Sequence, residues 1–226
     1  MVSAARTARA EQVGSTRELI LTAAERLFAE RGVHAVANRQ ISEAAGQGNN
    51  AAVNYHFGTK ADLIRAIVRR HSAQVEEIRA QLLVETANST DLRALVSCLV
   101  RPIPEHLAKL GRPSCYARFC VQVMSDPVLH AIAVEEAFNS AAMRELLARL
   151  QQYLPELPAE VRAERSIMAR HLILHACAER EFALAENTPT VRSSWYNTAT
   201  GLIDAIVAVW RAPVGGQAQR VQAASA

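Results

Sequence analysis

A chain of 226 residues, half of them apolar, can bury a sizeable core, and few aromatics, nine Gly and eight Pro favour helices over strands. A net charge of only +3 excludes a polycation, so any nucleic-acid surface must be local. There is no apolar run of about 18 residues to span a membrane, no apolar core in the opening MVSAARTARAEQVGSTRE, and no close pairing among Cys98, Cys115, Cys120 and Cys177, which together predict a cytoplasmic protein with reduced thiols.

In chain order, residues 1–14 read as a flexible arm, with Ser15 or Thr16 placed to cap a first helix. Ile20, Ala23, Ala24, Leu27 and Phe28 then recur at helical spacing, and Gly32 ends the helix. Asn38 is placed to cap a short second helix carrying Ile41, Ala44 and Ala45, and Gly46 and Gly48 mark a turn. Asn49 can cap a third short helix through His56. Gly58 and Thr59 break the chain, and Thr59 can cap a long fourth helix that buries Leu63, Ile64, Ile67, Val68, Val75, Ile78 and Leu82.

Beyond Ser89 the helices become longer and richer in Ala and Leu, over about 89–101, 104–110, 113–124, 127–152, 158–187 and 190–211. Pro102 and Pro104 should break or kink this run, whereas Pro127, Pro158 and Pro189 sit near helix starts, where Pro is tolerated. No segment has strand period and no internal repeat is present. Residues 213–226 are small and polar and read as a disordered tail. The expected fold is therefore all-α: a helix-turn-helix unit over 15–60 and a larger helical body over 61–212.

Two short helices joined by a Gly-containing turn place the second helix to enter the DNA major groove. The stretch GQGNNAAVNYHFGTKADL meets the demands of that groove. Small Ala51 and Ala52 allow close approach and methyl contact with thymine, and Asn side chains can pair with adenine edges. Tyr, His, Thr and Lys can bind phosphates and fix register.

The segments TRELILTAAERLFAERG, ISEAAG and VNYHFGTKADLIRAIV resemble the DNA-binding domain of TetR-type transcriptional repressors, over about residues 15–70. One departure is visible. Gln47 and Gly48 follow Gly46 where the family usually has an apolar residue, and Phe57 arrives one residue late. The resemblance implies a DNA-facing set of Arg39, Gln47, Asn49, Asn50, Ala51, Asn54, Tyr55, His56 and Lys60. Within it Asn50, Ala51 and Asn54 are candidates for base contacts. Tyr55, His56 and Lys60, with Thr59 beside them, are candidates for phosphates, and Phe57 should plug the core. Arg6, Arg9 and Arg17 could track phosphate, although a solvated tail is the simpler reading.

The resemblance further implies a homodimer, a double-stranded DNA operator and a largely apolar small-molecule effector, with no cofactor and no enzymatic activity. The dimer would be built from the helices at 158–187 and 190–211. The second carries Trp195, Leu202, Ile203, Ile206, Val207 and Trp210, and Ala199 and Gly201 allow close approach. An effector pocket enclosed by the helices at 89–152 would draw on Leu95, Cys98, Leu99, Tyr116, Phe119, Cys120, Val123, Met124, Phe138 and Met143, together with His171 and His175.

Two other readings compete. A protein of this fold could bind DNA without answering to a ligand, as a chromosome-organising factor or an activator. His171, His175 and Glu179 recur at i, i+4 and i+8, a spacing that could hold a divalent metal for a hydrolase. A fourth ligand and a general base are missing, so histidines that line the pocket or interface, or bond to neighbours, are favoured. There is no Gly-rich phosphate loop and no G-x-S-x-G elbow.

Overall fold

The computed structural model describes residues 2–49, 51–111, 114–154 and 157–214, with side chains from residue 13 onward except at 138. Eleven helices and no strand are found among the described residues: α1 (Val2–Arg31), α2 (Asn38–Ala44), α3 (Ala52–Phe57), α4 (Lys60–Glu85), α5 (Leu92–Val100), α6 (Pro102–Leu110), α7 (Tyr116–Met124), α8 (Pro127–Phe138), α9 (Ala141–Tyr153), α10 (Ala159–Ala185) and α11 (Trp195–Arg211). No helix among the described residues is long and apolar enough to cross a membrane. The expected tail at 213–226 lies outside the described residues from 215 onward.

Helix α1 starts well before the expected cap. The segment read as an arm is helical from Val2, so Ser15 and Thr16 are interior residues. Its Ala, Arg, Glu and Gln are strong helix formers, and the one interior glycine, Gly14, costs only about 1 kcal/mol. Ile20, Ala24, Leu27 and Phe28 form its buried face. Helix α2 is capped from the residue before Asn38: the Ala37 N–H donates to Gln40 Oε1 at 2.8 Å. Gly46, at φ 69°, turns the chain out of α2 in a conformation that costs other residues energy. Gly58 does the same after α3, at φ 77°.

Thr59 caps α4 as its position suggests. Its Oγ1 accepts from the Asp62 N–H at 3.1 Å, and the Asp62 carboxylate accepts from Thr59 N–H at 3.2 Å, a reciprocal box. Helix α4 packs on α1 and α3 at one end and on α5, α6, α8 and α9 along its length. It therefore belongs to both halves of the fold, and one apolar cluster runs unbroken from Ile20 to Trp210. Helix α7 lies against both α1 and α10, with the Phe119 ring stacked on Phe28 at 6.3 Å.

Several expected boundaries move. Pro102 breaks the helical run as expected, α5 ending at Val100, but it also opens α6 at its first position, where its missing N–H costs nothing. The predicted helix at 127–152 is two helices, because Ser140 Oγ accepts from the Met143 N–H at 3.2 Å and starts α9 afresh. After α10, Asn187 at φ 53° turns the chain. Helix α11 waits until Trp195, with Ser194 Oγ accepting from the Asn197 N–H at 3.1 Å, so Pro189 begins no helix. The apolar strip of α11 is also corrected. Ala199, Leu202, Ile203, Ile206 and Trp210 are buried within the subunit, against α5, α6 and α10. The exposed apolar residues are instead Ile167, Met168, Leu172 and Phe182 of α10, and Tyr196 of α11.

Candidate nucleic-acid interface and cavity

Helix α3 is split into two faces. Ala52, Val53 and Phe57 are buried, while Ala51, Asn54 and Tyr55 are exposed, Tyr55 to 75%. Arg17 of α1 fixes the end of this helix. Its guanidinium lies 4.3 Å from the Phe57 ring centroid, and Nη1 donates to the His56 carbonyl at 3.0 Å. The Tyr55 and His56 rings meet edge to face at 5.0 Å, which limits where the exposed phenol can swing. Asn38 Nδ2 donates to Asn54 Oδ1 at 2.6 Å, tying α2 to α3 and orienting the Asn54 amide outward.

The other DNA-facing candidates fare differently. Arg39 is exposed but paired with Glu43 at 2.7 Å, which raises its pKa further. Gln47 is half-buried and donates to the Ala45 carbonyl at 3.1 Å, so it closes the turn. Asn49 Oδ1 accepts from the Ala51 N–H at 2.8 Å, a capping role. Asn50 lies outside the described residues. The Thr59 hydroxyl is committed to Asp62 in both directions, donating at 2.6 Å and accepting at 3.1 Å.

Lys60 needs correction as a phosphate candidate. Its ammonium turns inward and donates to the carbonyls of Val33 at 3.1 Å and Val36 at 2.7 Å, and partial burial lowers its pKa. It satisfies the loop between α1 and α2 rather than reaching out. Lys60→Ala should therefore cost about 1–3 kcal/mol of stability, as loss of a charged donor to two carbonyls does. Urea denaturation checks this, and a DNA-binding loss with unchanged stability would show the opposite role.

The helical body holds a cavity of about 520 Å³. Of the expected lining, Leu99, Tyr116, Phe119, Cys120, Val123, Met124 and Met143 do face it. Leu95 and Cys98 do not; both are buried in the core beside it, where Cys98 Sγ lies 3.3 Å from Thr86 Oγ1. His171 and His175 are a second correction. They are exposed on the outer face of α10, ring centroids 6.2 Å apart, and do not line the cavity. The side chain of Phe138 lies outside the described ones. Glu179 is exposed too, and among the described residues no three His, Cys, Asp or Glu are grouped to hold a metal. The spacing put His171, His175 and Glu179 on one face, and that face is the solvent one.

Sequence reasoning missed much of the wall: Val68, Ser72, Val75, Glu76 and Arg79 from α4, and Ser166, Ile167, Arg170 and Ile173 from α10. It also missed a buried polar network against that wall. Glu25 of α1 accepts from His71 Nε2 at 2.8 Å and from Arg70, and lies 3.5 Å from Cys115 Sγ. His71 Nδ1 is 2.8 Å from His106 Nε2 of α6, and the Tyr116 ring stacks on His71 at 3.8 Å. Burial would raise the Glu25 pKa, but the bonds and charges of His71 and Arg70 outweigh it and hold the carboxyl below its usual value. Burial, then the His71 charge, pushes His106 down to about 4. The partners lie 35 to 90 residues apart, so no local pattern could reveal them.

Residues 20–67 match the family model of bacterial regulatory proteins, tetR family. Over 70 residues the chain is 40% identical to the HTH-type transcriptional repressor BepR of Brucella suis biovar 1, a stretch covering 31% of this chain and 33% of that protein. Over 64 residues it is 36% identical to the HTH-type transcriptional repressor AcnR of Corynebacterium glutamicum, covering 28% of this chain and 34% of that one. The match thus spans about a third of the length of these relatives. A TetR family transcription regulator from Marinobacter aquaeolei VT8 shares the fold, with a TM-score of 0.53 at 18% identity over 88% of this chain and 96% of its own.

Proposed function

We propose, from the match of residues 20–67 to the family model of bacterial regulatory proteins, tetR family, that the chain is a sequence-specific DNA-binding transcriptional regulator of that family, a repressor released from a palindromic operator by a small molecule. The observation that carries this reading is the outer face of α3. Ala51, Asn54 and Tyr55 project from a helix whose other face is buried, and Arg17 and Asn38 hold that helix in place. A slim helix with one small residue, one amide and one phenol outward is suited to a major groove.

Two copies are needed for a useful site. Recognition helices set about 34–36 Å apart would read two half-sites one DNA turn apart. The exposed Ile167, Met168, Leu172 and Phe182 of α10, with Tyr196 of α11, supply the apolar surface for such a pairing. The cavity supports an effector over the ligand-independent reading. A ligand acts there only if it binds the DNA-competent and released states with different affinity.

Selection of bound fragments from a random DNA pool tests the proposal and should return a palindrome. On that sequence Tyr55→Ala and Asn54→Ala should each weaken binding by about tenfold, the loss of roughly 1–2 kcal/mol of contact; Tyr55→Ala should leave stability unchanged, whereas Asn54→Ala also gives up the bond from Asn38, about 1 kcal/mol. Fluorescence anisotropy with labelled duplex reads the affinity. Parental affinity in both variants would remove α3 from the interface.

A further inference from the structure

Among the described residues, Arg170 stands in the cavity wall in a state that the other lining cation, Arg79, does not share. It faces the cavity from α10, between Ile167 and Ile173. Its Nε is buried and bonds to nothing, and among the described residues no carboxylate pairs with its guanidinium. Burial alone pulls its pKa below the usual value, with no acid pulling it back. The two acids lining the cavity are already engaged. Glu76 pairs with Arg79 at 3.0 Å and accepts from Ser140. Glu136 pairs with Arg69 at 2.8 Å and with Arg65 at 3.4 Å. The nearby Ser166 hydroxyl donates to the Arg162 carbonyl at 2.7 Å.

A partly desolvated guanidinium without a partner is costly, and the cost is recovered when an anion arrives. The guanidinium fork matches a carboxylate in two parallel bonds. Much of the rest of the wall, including Val75, Phe119, Val123, Met143 and Ile173, offers apolar contact, beside the hydroxyls of Ser72, Ser166 and Tyr116. Arg79 is spent on Glu76 and on the Cys98 carbonyl at 2.7 Å, so among the described residues no second free cation waits for a dianion.

We propose that the cavity takes an amphipathic monoanion, an apolar body ending in one carboxylate, and that Arg170 receives that carboxylate. This rests on reading the cavity as the effector site. The volume of about 520 Å³ falls in the range of small-molecule sites.

Calorimetric titration of the full chain with two matched triplets tests the assignment: decanoate, decan-1-ol and decylamine, then 4-phenylbutyrate, 4-phenylbutan-1-ol and 4-phenylbutylamine. In at least one triplet the carboxylate should bind about tenfold or more tightly than the alcohol and the amine, the worth of one charged bidentate pair. Arg170→Met should bring the three to within about threefold of one another, and Arg170→Lys should keep part of the preference. Unliganded Arg170→Met should melt at or above the parental temperature, because an unpaired buried charge has been removed. The assignment is overturned if no compound of either triplet binds, if alcohol or amine matches the carboxylate in both, if Arg170→Met keeps the preference, or if that variant melts well below the parent. Operator affinity measured with the bound carboxylate separates the two readings. Arg170-dependent binding that leaves DNA affinity unchanged supports the anion site and overturns the effector role.

Discussion

Glu25→Ala should destabilise the protein by about 2–4 kcal/mol, the cost of leaving buried, charge-bearing partners without an acceptor. Glu25 is 5% exposed and is the common acceptor for groups from α4 and from the segment before α7. His71 of α4 and Cys115, just before α7, both turn to it, and Arg70 closes the set from the rim. Arg70 retains Thr22 at 3.1 Å and Glu18 at 3.6 Å, so the loss falls mainly on His71. Glu25→Gln, which keeps an acceptor of the same shape, should lose clearly less. Urea denaturation of the three proteins gives the ordering, and an alanine variant within about 0.5 kcal/mol of the parent would mean that the network is no closed unit. The same carboxylate links the helix that supports α3 to Tyr116 in the cavity wall, through His71. Glu25→Ala should therefore also weaken any coupling between ligand and DNA.

Acidification from pH 7 to pH 4.5 should remove about 2 kcal/mol of stability through His106 alone. Its ring is 1% exposed and bonded to His71 Nδ1. The groups around it are His71 from α4, Glu25 from α1, the Tyr116 ring from α7 and Lys109 on its own helix. Only Glu25 favours the charged ring, and it is outweighed. The unfolded chain takes up this proton near pH 6.5, whereas the folded chain does so only at about 4. Between those values the unfolded state holds the extra proton, so stability is present above about pH 6.5 and falls as pH falls toward 4. The Glu25 carboxyl, held below its usual value, adds its loss at still lower pH. Urea midpoints at pH 7, 6, 5 and 4.5 trace the decline, and His106→Gln should flatten its upper part. A midpoint independent of pH across this window would contradict the assigned shift.

The headpiece was legible because its signals are local. The Thr59 cap of α4, the Gly46 turn and the spacing from Ala51 to Phe57 are set by neighbours within a few residues. Burial of Phe57 and exposure of Tyr55 follow from helical geometry alone. Lys60 was misread because its direction depends on the Val33 and Val36 carbonyls, which only the folded α1–α2 loop brings near. The α11 strip shows the limit of apolar patterning: it reveals that Leu202 and Ile206 are buried but not that their cover is their own subunit. The outer face of α10 mixes Met168 and Leu172 with His171 and His175, so it carries no clean apolar signal. The cavity wall on α4 and α10 reads in sequence as ordinary core, and Arg170 among Ile167 and Ile173 reads as a surface charge.

The cysteines give the fold built-in timers. Cys98 and Cys177 are buried and Cys115 and Cys120 half-buried, and burial raises all four thiols above their ordinary acidity range. Only the thiolate attacks an alkylating reagent, so each sulfur must wait for its helix to loosen before it reacts. The pace of iodoacetamide capture at α5, around α7 and at α10 would clock three separate breathing motions in one native molecule, without any engineered label.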